Sequence, residues 1–452
     1  MIVAVIDIGK TNAKVALVDL ATLSEIALRR IANAPVRQAP YPHHDVEALW
    51  TFILNSLTDL NRERRIDAIS ITTHGATGVL VDAAGELALP VLDYEFDGPD
   101  QLAAGYDAAR PPFAETGTPR LPIGLNLGAQ FFWQQKQFPA EFARAATMLM
   151  YPQYWALRLT GVAANEVTSL GCHTDLWNPW TSDYSSLVDR MGWRRLMAPV
   201  RPARDRLGPI LPAIAQRTGL APQTPVFCGL HDSNASLLPH LLSDAPPFSV
   251  VSTGTWVVSM AVGGRKVELD PARDTLVNVN ALGDPVPSAR FMGGREFSLL
   301  TEGQPQEWSE VDVDAVLARQ VQLLPSTQQG SGPFPHRAAQ WHNADDLSSG
   351  QRFAAVSFYL ALMTATCLEL IGGDGPTTVE GPFARNPLFN RMLAAATARS
   401  VIASEASTGT SIGAALLASD GIETASKGEQ TEPPAEPVWG DYAEAWRLAV
   451  RT

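Results

Sequence analysis

Residues 4–20 read AVIDIGKTNAKVALVDL, and the fold turns on the Gly9-Lys10-Thr11 inside them. A GKT tripeptide behind a hydrophobic strand invites the reading of a P-loop. That loop needs G-x-x-x-x-G-K-[ST], which would put its first glycine at position 4, where this chain has Ala4. A P-loop lysine also opens a helix, whereas Asn12 onward continues as a second strand over 14–20. Both tests fail. What is left is Asp7-x-Gly9-x-Thr11 in the turn of a β-hairpin whose first strand is 2–7. Gly9 lets backbone approach a phosphate closely, and Thr11, Asn12 and neighbouring N–H groups can donate to its oxygens. Asp7 can hold Mg²⁺, directly or through water, because hard cations favour carboxylate oxygen. A plain tight turn with a capping aspartate competes with that reading.

The same layout returns in the second half. Strand 248–251, a turn of Ser252-Thr253-Gly254-Thr255, and strand 256–262 make a second glycine-containing hairpin. Thr253, Gly254 and Thr255 could form a second phosphate clamp. Between the halves, Ser243-Asp244-Ala245-Pro246-Pro247 breaks the pattern and sets the expected boundary, with lobes at 1–244 and 248–452. Asp45 is placed to cap a helix over 46–60, and 66–72 reads as a buried strand. Further on, 142–159 reads as a helix broken near Pro152, and 225–230 as a strand that launches a helix over 233–242. A long helix over 351–371, a strand at 377–380 and a helix over 387–397 follow. Residues 420–437, acidic and proline-containing, read as a mobile linker before a last helix over 442–450. The fold class is therefore α/β, a duplicated architecture with a cleft expected between the lobes, where ligands usually sit.

Gly229-Leu230-His231-Asp232-Ser233-Asn234 joins a strand to a helix. Asp232 there can accept a proton from a substrate hydroxyl that attacks a phosphoryl group, with the helix N-terminus holding it ionised. A simple N-cap aspartate is the alternative. Thr72-Thr73-His74-Gly75 ends a buried strand, and its His74 and Gly75 are candidates for binding a polyol. Asp93 and Asp97 in LDYEFDGP are similar candidates. Trp177 and Trp180 in WNPW are available in principle to stack on a sugar face.

A net charge of −13 argues against nucleic acid as the main partner. With 46% apolar and 18% charged residues, the chain has enough apolar content for a sizeable core. Cys172, Cys228 and Cys367 show no metal-ligand spacing and read as buried, reduced thiols. The N-terminal strand lacks the basic start of a signal peptide, and no stretch reaches 18 uninterrupted apolar residues, so a cytoplasmic protein without a membrane partner is expected.

Taken together these segments resemble the FGGY carbohydrate kinases, of the actin-like (ribonuclease H-like) ATPase superfamily. DIGKTNAKVALVD resembles the family's first phosphate motif, VSTGTWVVS the second, and GLHDSNAS the segment carrying its catalytic aspartate, here Asp232. EGPFARNPLFNRMLAAAT is similar to the adenosine-side motif, which implies nucleotide contacts at Gly381, Arg385 and Asn386, and STGTSIGAALLA follows it in order. Within the family, ETGTPRLPIGLNLGAQ and YPQYWALRLTGVAANEVTSLGCHTDLWNP resemble the rhamnulokinase branch. The resemblance implies ATP as co-substrate, Mg²⁺ at Asp7, and phosphorylation of a primary hydroxyl of a ketose such as L-rhamnulose or L-fuculose. It leaves room for a homodimer. The chain departs from the pattern at Pro382-Phe383, where a glycine run is usual, at LDYEFDGP, which lacks an arginine, and at Thr72-Thr73, where glutamines are usual. Because Pro382 removes an N–H and Phe383 adds bulk, the competing expectation is a non-catalytic sugar-binding or sensor protein of the same fold with impaired ATP binding.

Overall fold

A computed structural model describes residues 1–303, 306–404, 409–419 and 428–451. The chain divides into two compact units. One comprises Met1–Ser243, Val277–Pro285 and Thr408–Glu423, and the other comprises Asp244–Leu276, Val286–Ser407 and Thr424–Thr452. Each unit is therefore discontinuous, whereas the proline-rich break at 243–247 suggests a single cut.

In the first unit, Ile2–Ile8 pairs antiparallel with Asn12–Asp19, which pairs antiparallel with Ser24–Ala32. On its other side Ile2–Ile8 pairs parallel with Ala68–Thr73, which continues to Pro225–Phe227 and Arg206–Pro209. The parallel steps leave both sheet faces to be covered. Ile2, Ala4, Ile6 and Ile8 face a cluster with Leu49, Ile53 and Leu57 of helix Val46–Glu63. Val3 and Val5 face the other way, onto Ala235 and Leu238 of helix Asp232–Ser243 and Ala414 of the short helix Thr410–Ala415. By the two-residue period of a strand, Asp7 falls on this second face. That is why it meets Thr410.

The second unit repeats the plan. Phe248–Thr253 and Val257–Val262 form the hairpin, Pro285–Phe291 extends it antiparallel, and Thr377–Glu380 joins Phe248–Thr253 in parallel. Val401–Ala403 and Glu429–Thr431 complete that side. Its core is built on helices Ser349–Leu370, Pro387–Thr397 and Pro437–Ala449. Contrary to the absence of a membrane candidate expected from sequence, Ser349–Leu370 is long and apolar enough to cross a bilayer by length and composition. It lies mostly buried in the unit's core.

Three local expectations change. Pro152 breaks nothing, because Thr147–Met150 is a strand and the proline stands in the first turn of helix Tyr151–Thr160, where no N–H is needed. Of the expected linker over 420–437, residues 420–427 lie outside the described residues, and Glu429–Thr431 is a strand rather than a loop. The last helix starts at Pro437, five residues before the apolar periodicity announces it.

Candidate active site

In the first unit the turn is closed by Gly9 N–H donating to Asn12 O at 2.9 Å. Asn33, from the neighbouring strand's end, holds it from outside by donating Nδ2 to Gly9 O at 2.7 Å, while its own N–H donates to Thr11 O. Thr11 and Asn12 are exposed, and Asn12 Nδ2 donates to Thr11 Oγ1. Asp7 is buried and uses one oxygen within the unit. Oδ2 accepts from Thr410 Oγ1 at 2.6 Å and lies 3.2 Å from Lys14 Nζ. Burial raises the Asp7 carboxyl above its ordinary range, with Lys14 and Thr410 opposing. No hydrogen bond among the described residues reaches Oδ1.

Asp232 is the first residue of its helix, directly after strand Leu230–His231. Its side chain keeps 30% exposure, yet desolvation still raises its carboxyl, with His74 and Ser233 opposing. Oδ1 accepts from Ser233 N–H at 2.6 Å and lies 3.2 Å from His231 Nε2. No hydrogen bond among the described residues reaches Oδ2, which is turned to no partner of its own. Burial lowers both His74 and His231 to about 4, so both rings are neutral at physiological pH.

His74, Gly75 and Asp93 come together with this group, but not all by direct exposure. Both ring nitrogens of His74 are engaged, Nδ1 with Ile8 O and Nε2 with Thr77 Oγ1, each at 3.0 Å. A Cβ on Gly75 would stand 2.7 Å from His231 Nε2 and 3.4 Å from Cys172 Sγ, so glycine there admits the His231 ring. Asp97 is exposed ahead of the turn Gly98–Leu102, and no hydrogen bond among the described residues joins its carboxylate to the others. Trp177 is buried against Tyr184, while Trp180 is exposed and donates Nε1 to Ala114 O.

The second unit holds a cavity of about 740 Å³ lined by Thr253, Gly254, Thr255, Arg385 and Asn386 together with aromatic rings. Thr253 braces it. Its hydroxyl donates to Glu380 O and accepts from Phe383 N–H at 3.1 Å. Gly381 has φ +83°, and a Cβ there would strike Thr253 O at 2.1 Å, so only glycine fits that approach. Pro382 begins a 3₁₀ turn, where its missing N–H costs nothing. Phe383 is 5% exposed, its ring 5.6 Å from Phe297 and 5.2 Å from Phe389. Its bulk goes into the core and forms the wall instead of filling the cavity. Asn386 caps helix Pro387–Thr397 by accepting from Leu388 and Phe389 N–H, and its amide donates to Ser357 Oγ.

Residues 113–239 match the N-terminal domain of the FGGY family of carbohydrate kinases, and residues 245–427 match the carbohydrate kinase FGGY C-terminal domain. The crystal structure of a carbohydrate kinase from Novosphingobium aromaticivorans is similar at 38% identity and TM-score 0.92, covering 99% of this chain and 100% of that one. The chain belongs to the FGGY family of carbohydrate kinases. Its two repeated sheets are those of the family's two-domain actin-like ATPase fold. Among curated FGGY relatives, an L-fuculokinase from Salmonella typhi is 24% identical over 58% of this chain and 57% of its own length. A rhamnulokinase from Mannheimia succiniciproducens is 27% identical over 41% of each. The chain thus spans about half the length of these relatives.

Four positions that support the candidate site in this FGGY chain escape a reading by motif. Lys14 stands opposite Asp7 in the hairpin register, a pairing visible only once the strands are aligned. Asn33 and Thr410 arrive from far along the sequence. Glu166, fully buried, accepts from Thr168 N–H and Oγ1 at 3.0 and 2.5 Å, and Thr168 Oγ1 in turn accepts from His231 N–H at 2.9 Å. It braces the strand that presents Asp232. Burial raises Glu166 to about 7.

Proposed function

We propose that this chain is an ATP-dependent carbohydrate kinase that phosphorylates a primary hydroxyl of a ketose, a deoxyhexulose such as L-rhamnulose or L-fuculose. The observation that carries the reading is the Asp232 carboxylate, held through Oδ1 at a helix start with Oδ2 open. In this reading the sugar hydroxyl donates to Oδ2 and then attacks the γ-phosphorus of ATP. The O–P bond forms, the bond to ADP breaks, and the proton passes to Asp232. Neutral His74 and His231 place no competing positive charge beside it. Desolvation brings the carboxyl's proton affinity nearer to what late proton acceptance requires.

Residues 1–244 carry the sugar side in this proposal, with His74, Gly75, Asp93 and Asp97 shaping the pocket, and 248–452 the nucleotide side. Thr253, Gly254 and Thr255 take phosphate oxygens, as do Gly9, Thr11 and Asn12. The aromatic cavity with Arg385 and Asn386 takes the nucleoside, with Gly381 in the turn that leads into its wall. Asp7 fits Mg²⁺ as a single carboxylate with Oδ1 open, the usual style for a cation bound mainly to nucleotide phosphate, and the ion would supply charge neutralisation there. Phe383, packed as the cavity's wall without filling it, supports this over a sensor with impaired ATP binding. A coupled ADP-release assay over a panel of ketoses and polyols, with and without Mg²⁺, tests it. Sugar-dependent, Mg²⁺-dependent ADP release is expected, and sugar-independent or absent release overturns the proposal.

A further inference from the structure

Lys10 is singled out by the lettering of the turn, yet the proposed reaction gives it no task. Its side chain is 15% exposed, and its ammonium is spent inside the unit. Nζ donates to Asp93 Oδ1, lies 3.4 Å from Glu95 Oε2, and sits 4.5 Å from the centroid of the Tyr94 ring. Asp93 Oδ1 also accepts from Glu95 N–H at 3.2 Å. One oxygen of Asp93 is thus fully committed. No hydrogen bond among the described residues reaches its Oδ2, although a carboxylate can accept about four.

The neighbourhood is that of Asp232. Tyr94 meets His74 edge-on at 5.6 Å, and both groups feel the Asp232 charge. Asp93 and Asp232 share one arrangement: Oδ1 tied down, Oδ2 open. A polyol carries several hydroxyl donors along one chain, so two open carboxylate oxygens in one neighbourhood match it. A phosphate lysine needs its ammonium free for the nucleotide, and this one is not free.

We propose that Lys10 is a substrate-positioning residue. It fixes Asp93 so that Oδ2 accepts a hydrogen bond from a second hydroxyl of the same sugar whose reacting hydroxyl goes to Asp232. Around this turn the carboxyl groups of Asp7, Asp93, Glu95 and Asp232 outnumber the ammonium groups of Lys10 and Lys14, which favours an uncharged polyol or ketose as substrate over a sugar acid. This rests on the sugar-kinase reading.

The test is initial-rate kinetics on Lys10→Met, Lys10→Arg, Asp93→Asn and the Lys10→Met/Asp93→Asn double variant. Sugar and ATP are varied separately. Losing a charge-assisted contact should raise the sugar KM roughly tenfold or more in Lys10→Met, with the ATP KM held within about twofold. Lys10→Arg should recover most of the loss. The double variant, which removes the ammonium together with the Asp93 charge it holds, should lose measurably less than the sum of the singles, because both changes disable one contact. A raised ATP KM, an unchanged sugar KM or strict additivity overturns the role of Lys10. Turnover of an aldonate in preference to every neutral sugar overturns the substrate class. A wild-type protein that turns over no sugar contradicts the kinase reading itself, and the inference falls with it.

Discussion

The hairpin of the first unit and that of the second share a pairing scheme and differ in what faces their turns. Each puts an antiparallel partner on one side and a parallel strand on the other. Each turn closes on a glycine N–H, Gly9 to Asn12 O and Gly254 to Trp256 O, both at 2.9 Å. Around the first stand Asp7, Lys10, Lys14, Asp93 and Asp232. Around the second stand hydroxyls, backbone, aromatic rings and the guanidinium groups of Arg295 and Arg385. One scaffold used twice thus carries paired carboxylate and ammonium groups at one turn and an aromatic-walled cavity at the other. Each site also has a threonine hydroxyl behind it, Thr168 behind Asp232 and Thr253 behind Phe383.

The sharpest way to break this contrast is Asp232→Asn. It should lower kcat by roughly 10²–10⁴-fold with sugar binding nearly intact, as read by steady-state rates beside calorimetry. Because the carboxyl is raised and must be ionised to accept a proton, the wild-type acid limb of kcat should lie above the ordinary carboxylate range. Full activity in the asparagine variant removes Asp232 from the reaction.

Next comes the aromatic wall. Phe383→Ala should cost about 3–5 kcal/mol of stability in chemical denaturation, because a buried ring leaves a cavity. It should also weaken ATP binding while leaving sugar affinity unchanged. A change confined to sugar affinity would erase the division between the hairpins.

Glu166 sharpens the polar side. Its carboxyl is raised from 4.5 to about 7, so between those values the folded chain keeps a proton that the unfolded chain has lost. Stability therefore falls as pH rises through that window, by about 3 kcal/mol in all, and is flat for this group above it. Glu166→Gln should abolish that slope. An unchanged pH dependence would mean that Glu166 is ionised in the fold.

The smallest effect belongs to Thr253→Val, which leaves Phe383 N–H without its buried acceptor and should cost about 1–3 kcal/mol. Its ATP KM should rise more than its sugar KM.

Much of the framework was legible in the sequence because it is local. The apolar strand at the start of the chain, the Asp45 cap and the helix over Pro387–Thr397 follow from neighbouring residues, and the structure has all three. The failed spacing at Ala4 and the strand character from Asn12 onward were enough to set a P-loop aside, and Asn12–Asp19 is a strand. The environment of the site was not legible. Nothing near position 7 announces Thr410, and nothing near 383 says whether its ring points into a cavity or into the core. His74 reads in sequence as a candidate hydroxyl partner or a structural histidine, and only the structure shows Ile8 and Thr77 occupying both its nitrogens. Lys10 is the clearest case, since its partners arrive from more than eighty residues away and reverse the meaning of its motif.

The most direct measurement is ³¹P NMR of the protein with ATP, Mg²⁺ and each ketose in turn. A sugar phosphate ester resonance growing in step with ADP is the predicted result. ADP appearing only with inorganic phosphate, or ATP left intact with every sugar, would contradict the account.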